Sequence, residues 1–225
     1  IQIKLNKPKL IIGDGFSGSG IVSRLFKKYS SVLYVNDLAG YSKTLNQCYL
    51  ASPSQKEREN IKKYVHAANE FAAKNDKTPP KFIAKYWSPQ VCGAGGRAYY
   101  TPTNGKRIDR YRYFIDTIPQ KIRPFLLGPL LVEASIHTNT SGHFAAFYKR
   151  DGIGHFGGKR EIDLKRIMKP IVIPFPLFLI NKTKVVISQQ DTNVWIKNKE
   201  QMDLVYYDPP YNKHPYSIYY FFLKG

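Results

Sequence analysis

Four residues near the end of the sequence, Asp208-Pro209-Pro210-Tyr211, combine groups that could activate an amino group. Two prolines remove two backbone donors and stiffen the loop, so nearby carbonyl groups are held as acceptors. A carboxylate and a rigid carbonyl can accept both hydrogens of an exocyclic NH2 group, which makes its nitrogen a better nucleophile. Tyr211 could stack on a base removed from a duplex. An accidental surface turn is disfavoured by the β-type run before it, Leu204–Tyr207.

A second set of residues, Phe16-Ser17-Gly18-Ser19-Gly20, separates an apolar run from a helical pattern. Glycines let the backbone approach a ligand closely, and the N-terminus of a helix offers free N–H groups. These residues predict a cofactor-binding turn. A plain structural turn is an equally good interpretation of this run taken alone.

Two carboxylates follow β-type runs, at Asp37 and Asp191. A carboxylate at the end of the second strand commonly binds ribose hydroxyls in nucleotide-binding folds. The alternative for both residues is a helix N-cap, for which Asp is well suited. The spacing from the glycine turn favours the ribose role for Asp37, whereas the residues leave Asp191 open.

The elements predicted to position these residues have the strand–helix–strand order of a nucleotide-binding α/β unit. The first strand covers Lys9–Ile12 and stops at Gly13. The helix after it would turn Ile21, Val22, Leu25 and Phe26 inward and Arg24, Lys27 and Lys28 outward. The further elements are a strand over Ser31–Val35, a helix over Tyr41–Leu50, and β-rich runs at Lys184–Ser188 and Leu204–Tyr207.

Residues 54–170 differ in character and are predicted to be an insertion between two parts of one core, 1–53 and 171–225. Gln55–Asn75 has the pattern of a charged helix. Asn104-Gly105 predicts a tight hairpin turn. Ile118–His137 is a largely apolar helical stretch interrupted by Pro124 and Pro129.

The charge of the chain indicates a polyanionic partner. Lys and Arg number 35 against 16 Asp and Glu, a net charge of +19, and a nucleic acid is the usual partner of such a surface. The 17 Tyr and 13 Phe would also suit base stacking. No signal peptide, membrane-spanning run or basic amphipathic helix is evident, so we expect a cytoplasmic protein. Cys48 and Cys92 are expected to be free thiols, and no metal site is expected.

The glycine turn and Asp-Pro-Pro-Tyr, in that order, resemble the two signature motifs of amino-methylating DNA methyltransferases. Asp at the head of the second motif favours adenine N6 over cytosine N4. The layout resembles the alpha-group, Dam-like adenine methylases of restriction–modification systems, with further similar stretches at Asn104–Asp109, Gly142–Phe144 and Asn212–Tyr216. The resemblance covers most of the chain. It implies an α/β, Rossmann-like class I methyltransferase core with a mostly parallel sheet and an inserted DNA-recognition segment.

The resemblance also implies a role for each matching residue. S-adenosylmethionine would lie along Phe16, Ser17, Gly18, Ser19 and Gly20, with Asp37 on its ribose and Asp191 near its adenine amino group. The target base would be held by Asp208, Pro209, Pro210 and Tyr211. Duplex DNA would be contacted by the insertion, with Lys106, Arg107, Arg110 and Arg112 as one candidate cluster and His143, Lys149 and Arg150 as another. A cognate restriction endonuclease is an implied partner.

Two departures from the family pattern accompany this resemblance. The Gly-Lys motif that usually precedes the cofactor turn is absent there, although Gly157-Gly158-Lys159 resembles it out of place. The sequence ends 14 residues after Tyr211, so the family's C-terminal strands are expected to be missing. The alternatives are methylation of RNA adenine or cytosine N4, and a non-catalytic DNA-binding relative. A nicotinamide dehydrogenase would leave Asp-Pro-Pro-Tyr without a role.

Overall fold

The computed structural model describes residues 2–74, 81–89, 96–158, 160–197 and 201–211. Cys92, Lys159 and the stretch Asn212–Tyr216 lie outside these ranges. In chain order the described elements are α1 (Gln2–Leu5), β1 (Leu10–Asp14), α2 (Ile21–Phe26), β2 (Ser30–Asn36), α3 (Gly40–Tyr49), α4 (Gln55–Ala73), α5 (Phe82–Tyr86), α6 (Pro102–Thr117), α7 (Arg123–Ile136), β3 (Lys149–Arg150), β4 (Ile153–Gly154), α8 (Leu164–Met168), β5 (Lys184–Ser188), α9 (Thr192–Lys197) and β6 (Leu204–Tyr206).

The main sheet is parallel, with strand order β5-β2-β1-β6. Leu10, Ile12, Leu33 and Val35 are buried on its two central strands and form a core with Leu50. Apolar strands covered on both faces are typical of parallel sheets in α/β proteins. The predicted α/β, Rossmann-like fold class is therefore confirmed.

The described residues form two compact units, one of residues 2–59 with 176–211 and one of residues 60–175. The first unit contains the parallel sheet. The second unit contains most of α4, the helices α5 to α8 and the antiparallel pair β3–β4. The division into a core of 1–53 and 171–225 with an insertion at 54–170 stays a prediction.

Lys27 contradicts the predicted outward face of α2. Its side chain is 0% exposed, whereas Ile21 and Leu25 are exposed. The Lys27 ammonium donates to the carbonyls of Ala51 at 3.0 Å and Leu179 at 2.7 Å, and to the Ser52 hydroxyl at 2.9 Å. Burial lowers the pKa of Lys27 to about 8, so the group is still largely charged at neutral pH. The helical pattern considers only residue types, so it could not predict that three hydrogen-bond acceptors stabilise this lysine in a buried position.

Replacing Lys27 with methionine should lower the free energy of unfolding by about 2–4 kcal/mol, because three acceptors lose their donor. The measurement is urea denaturation of the full chain. Lys28→Met is the matched control, since the Lys28 side chain is exposed. Equal stability of the two variants would show that the Lys27 contacts contribute nothing.

The predicted turn at Asn104-Gly105 is wrong, because both residues are buried inside α6. The Thr101 hydroxyl accepts a hydrogen bond from the backbone amide of Asn104 at 3.2 Å, and Pro102 occupies the first turn. Both features favour the start of a helix. Gly105 serves close packing instead. A Cβ atom there would overlap the Ser88 hydroxyl and lie 3.1 Å from the Ala84 Cα.

A two-residue hairpin lies elsewhere in the second unit, between β3 and β4. Its turn is Asp151-Gly152, and the φ angles of +52° and +79° match the turn type that favours Asp-Gly. The predicted Ile118–His137 helix begins later, at Arg123, and Pro124 lies in its first turn. Pro129 lies inside α7 without ending it, contrary to the predicted interruption.

Candidate active site

The carboxyl ends of β1, β2 and β6 bring several carboxylates to one edge of the sheet, because parallel strands end on the same side. Asp14 is the last residue of β1, Asp37 follows β2, and Asp208 follows β6 by two residues. These groups influence one another electrostatically. Burial is the main cause of a raised pKa at Asp14, and the charges of Asp37 and Asp208 add to it. The Asp208 carboxylate also raises the pKa of Tyr206.

The predicted cofactor turn depends on glycine at two positions. Gly18 and Gly20 have φ angles of +50° and +76°, a region that side-chain-bearing residues avoid. The Gly20 amide donates to the Ser17 carbonyl at 2.7 Å, and the Ser17 amide donates to the Asn36 carbonyl at 3.0 Å. The turn is therefore fixed to the end of β2.

Asp37 binds the backbone on two sides. One of its carboxylate oxygens accepts the Gly18 amide at 2.7 Å, and the other accepts the Ala39 amide at 2.8 Å. The N-cap position of α3 is Ala39, so Asp37 is not the N-cap of that helix. Its carboxylate joins the glycine turn to the start of α3 and is partly exposed.

Asp14 is a site residue that the sequence interpretation missed, because the strand was predicted to end at Gly13. Its carboxylate is fully buried, and desolvation raises its pKa from 3.8 to about 6. The Ser23 hydroxyl donates to Oδ2 at 2.6 Å. The Phe16 amide lies near enough to offset part of the pKa rise, yet Oδ1 has no hydrogen-bond partner among the described residues. The position of Asp14 directly before Gly15-Phe16, where the predicted cofactor turn begins, is the sequence signal that could have identified it.

A buried polar cluster on α3 supports the glycine turn from behind. The side-chain amide of Asn46 donates to the Ser17 hydroxyl at 3.0 Å and to the Ser42 carbonyl at 2.9 Å. The Ser17 and Ser42 hydroxyls lie 3.1 Å apart. A Cβ atom on Gly20 would overlap the Asn46 Oδ1. Asn46 therefore positions Ser17 and leaves no room for a side chain at Gly20. This role is evident only from the three-dimensional contacts.

Asp191 lies in an exposed position where it caps α9. Its Oδ1 accepts the Asn193 amide at 2.8 Å, and its carbonyl accepts the amides of Val194 and Trp195. The helix-cap alternative from the sequence thus matches the contacts. Thr192, the next residue, donates its hydroxyl to the Gly15 carbonyl at 2.9 Å, which links this segment to the cofactor turn.

The predicted base-binding loop begins beside the cofactor turn. The Gly15 amide donates to the Tyr206 carbonyl at 3.0 Å, and the rings of Phe16 and Tyr207 meet edge to face at 6.2 Å. Asp208, Pro209, Pro210 and Tyr211 are all exposed, Tyr211 by 80%. The Phe16 turn and the Asp208 loop are therefore adjacent, and an aromatic side chain is free for stacking.

The predicted DNA-contacting residues lie on α6 and around β3. Lys106 and Lys149 are exposed, and Arg112 and His143 are partly exposed. The Arg107 guanidinium donates to the Ile171 carbonyl at 2.6 Å. The Arg110 guanidinium donates to the Ala72 carbonyl at 3.5 Å, and Arg150 forms an ion pair with Glu161 at 3.5 Å. Arg107, Arg110 and Arg150 thus already bind groups of the protein.

Two negative findings hold for the residues that the structure describes. No helix in the described ranges is long and apolar enough to cross a membrane. No three His, Cys, Asp or Glu side chains within those ranges are grouped so that they could hold a metal ion. The one cysteine in them, Cys48, is a buried free thiol, and burial raises its pKa.

A parallel sheet, a glycine turn after its first strand and Asp-Pro-Pro-Tyr after β6 form the arrangement expected of an amino-methyltransferase core. Comparison with known families agrees, because residues 7–225 match the model of the D12 class N6 adenine-specific DNA methyltransferases. The chain belongs to this family.

Individual relatives cover nearly the whole chain. It is 31% identical over 219 residues to the type II methyltransferase M.NlaIII of Neisseria lactamica and 30% identical over 217 residues to the type II methyltransferase M.CviAII of Paramecium bursaria Chlorella virus 1. It is 26% identical to the modification methylase LlaI of Lactococcus lactis subsp. lactis. The matches cover 94% of this chain but 59%, 59% and 33% of these relatives. No solved structure matches.

Proposed function

We propose that the chain transfers a methyl group from S-adenosylmethionine to the N6 amino group of adenine in a specific duplex DNA sequence. The observation that carries this proposal is the adjacency of the glycine turn and the Asp208 loop, through the Gly15–Tyr206 hydrogen bond and the Phe16–Tyr207 ring contact. A methyl donor held by the first and an amine held by the second would be close enough for direct transfer.

The residues at the sheet edge fit S-adenosylmethionine. This cofactor supplies an electrophilic methyl group on a positively charged sulfonium, and it also carries an ammonium group. The Asp14 carboxylate has a buried oxygen without a hydrogen-bond partner among the described residues, and Asp37 and Asp208 add negative charge nearby. A cation at this edge would offset the cost of burying Asp14. Asp37 retains exposure for ribose hydroxyls.

Asp208 and the Pro209 carbonyl would accept the two hydrogens of the adenine amino group. The amine becomes strongly acidic only as its new bond forms, so Asp208 can accept the proton without being a strong base. Tyr211 would stack on the adenine after it leaves the duplex, and this contact offsets part of the few kcal/mol that base flipping costs.

Recognition of DNA would fall to the second unit, whose candidate contacts are Lys106, Arg110, Arg112, His143, Lys149 and Arg150. Arg107 is better assigned to positioning α6, because its guanidinium is bound to the Ile171 carbonyl. The chain's net charge of +19 supports a polyanionic substrate. The relatives named as type II methyltransferases support a companion restriction endonuclease as partner.

The test of this proposal is competition between duplex DNA and structured RNA for labelled methyl groups, with calorimetric measurement of S-adenosylmethionine binding. The proposal requires cofactor binding and transfer to DNA. Preferential transfer to RNA would favour the RNA methylase alternative. Binding of DNA without cofactor binding would instead identify a non-catalytic relative.

Asn46→Ala should weaken S-adenosylmethionine binding roughly tenfold, because Ser17 loses its supporting hydrogen bond and the glycine turn gains freedom. The maximal rate at saturating cofactor should change little, since Asn46 would touch no reacting atom. Gln47→Ala, an exposed neighbour on α3, is the matched control. A lowered maximal rate with unchanged cofactor affinity would contradict this positioning role.

A further inference from the structure

We propose that the second unit carries an additional surface for duplex DNA, distinct from the candidate DNA contacts on α6 and around β3. This aromatic–lysine patch consists of Lys74, Lys81, Phe82, Lys85, Tyr86 and Tyr113. It would bind the sugar–phosphate backbone independently of sequence. That the polyanion is DNA rests on the proposed function.

The patch places aromatic rings in solvent, where soluble proteins seldom leave them grouped without a function. Phe82, Tyr86 and Tyr113 are 61%, 48% and 51% exposed. The rings of Phe82 and Tyr86, one turn apart on α5, lie 5.5 Å apart. Tyr113 of α6 stacks on Phe71 of α4 at 5.9 Å, so α4, α5 and α6 all contribute to the surface.

Each lysine of the patch lies over a ring. The distances from ammonium nitrogen to ring centroid are 4.5 Å for Lys81 over Tyr113, 5.1 Å for Lys85 over Tyr86 and 5.7 Å for Lys74 over Phe71. Such contacts hold a lysine near an aromatic surface while its ammonium still reaches solvent. The charges are thus arranged in advance for an anion.

These lysines have no acidic partner within the part of the chain that the structure describes. The Asp109 carboxylate of α6 does contact α5, but it accepts the backbone amides of Ile83 and Ala84 at 3.0 and 2.9 Å. The three positive charges of the patch are therefore not neutralised by an ion pair among described residues. Phosphates would supply the missing anions, and the rings would cover the apolar faces of deoxyriboses.

A duplex of guanine and cytosine only is the appropriate probe, because it offers phosphates but no adenine to methylate. The double variant Lys81→Gln/Lys85→Gln should bind it roughly tenfold more weakly at ~150 mM salt, with the slope of log Kd against log salt reduced by about 2. Phe82→Ser/Tyr86→Ser should weaken binding while the salt slope is kept. Lys121→Gln/Lys165→Gln, exposed residues of the same unit outside the patch, is the control.

The patch is disproved if Lys81→Gln/Lys85→Gln binds like the wild type, or if the control pair loses as much affinity and salt slope. Methyl transfer to a saturating adenine-containing duplex separates this result from the proposed function. Transfer without any effect of the patch variants would reject the patch alone. Patch-dependent binding without methyl transfer by the wild type would reject the proposed activity and leave the patch intact.

Discussion

Replacing Asp208 with alanine is expected to lower the rate of methyl transfer to duplex DNA by roughly 10²–10⁴-fold, the usual range for loss of a group that accepts a proton in the transition state. The variant would lose the proposed acceptor for one amine hydrogen. Its stability should stay near that of the wild type, because the Asp208 side chain is exposed. The measurement is single-turnover transfer of labelled methyl groups at saturating cofactor and DNA.

Two comparisons make this prediction specific. S-adenosylmethionine affinity of Asp208→Ala should remain within about threefold of the wild type, since the main cofactor contacts are expected at the glycine turn. Glu59→Ala, at an exposed position on α4, provides a control for loss of a carboxylate elsewhere. Wild-type transfer by Asp208→Ala would remove Asp208 from the mechanism.

The second large effect is expected at Asp14, with opposite signs for stability and binding. Asp14→Asn should stabilise the cofactor-free protein at pH 7.5 by up to about 3 kcal/mol, because burial of the carboxylate costs about 1.4 kcal/mol per unit of pKa rise. The asparagine can still accept the Ser23 hydroxyl. The same change should weaken S-adenosylmethionine binding at least tenfold, because the negative charge proposed to stabilise the cofactor's cationic groups is lost.

The pH dependence follows from the direction of the shift. The folded-state pKa of Asp14 is raised from 3.8 to about 6, so the native state binds the proton more tightly than the unfolded chain. The contribution of Asp14 to stability therefore falls as pH rises from about 4 to about 6, and stays at its lower level above that. Over this pH range, the free energy of unfolding of Asp14→Asn should change less with pH than that of the wild type.

Asp203 offers a control of opposite sign. Its pKa is lowered by the Ile11 amide hydrogen bond and by Lys7, so Asp203→Asn should lose stability at neutral pH. Urea denaturation between pH 4 and 8 and cofactor titration of both variants make the comparison. A stabilised Asp203→Asn, or a destabilised Asp14→Asn with intact binding, would refute the account of Asp14.

Elements whose formation depends on local pattern were predictable from the sequence. Apolar runs gave β1, β2, β5 and β6 to within two residues, and β5 was placed at Lys184–Ser188 as observed. A parallel sheet brings the carboxyl ends of such strands to one edge, where Asp37 and Asp208 both lie. Phe-Ser-Gly-Ser-Gly and Asp-Pro-Pro-Tyr then indicated the family.

Positions decided by tertiary contacts were not predictable in this way. Asn104-Gly105 has the local signal of a turn, but Thr101-Pro102 starts a helix there and Asn104 donates to the carbonyls of Ile167 and Lys169. Lys27 has the signal of a solvated face, but three distant acceptors bury it. Arg107 has the signal of a DNA contact, yet its guanidinium is bound to Ile171, 64 residues away.

The most direct test of the central claim is to identify the methylated nucleoside. Duplex DNA is incubated with the chain and labelled S-adenosylmethionine, digested to nucleosides and separated by chromatography with mass detection. The account predicts label in N6-methyldeoxyadenosine, confined to one sequence context and absent with Asp208→Ala. Label in N4-methyldeoxycytidine, or no label from a chain that binds both cofactor and duplex, would contradict it.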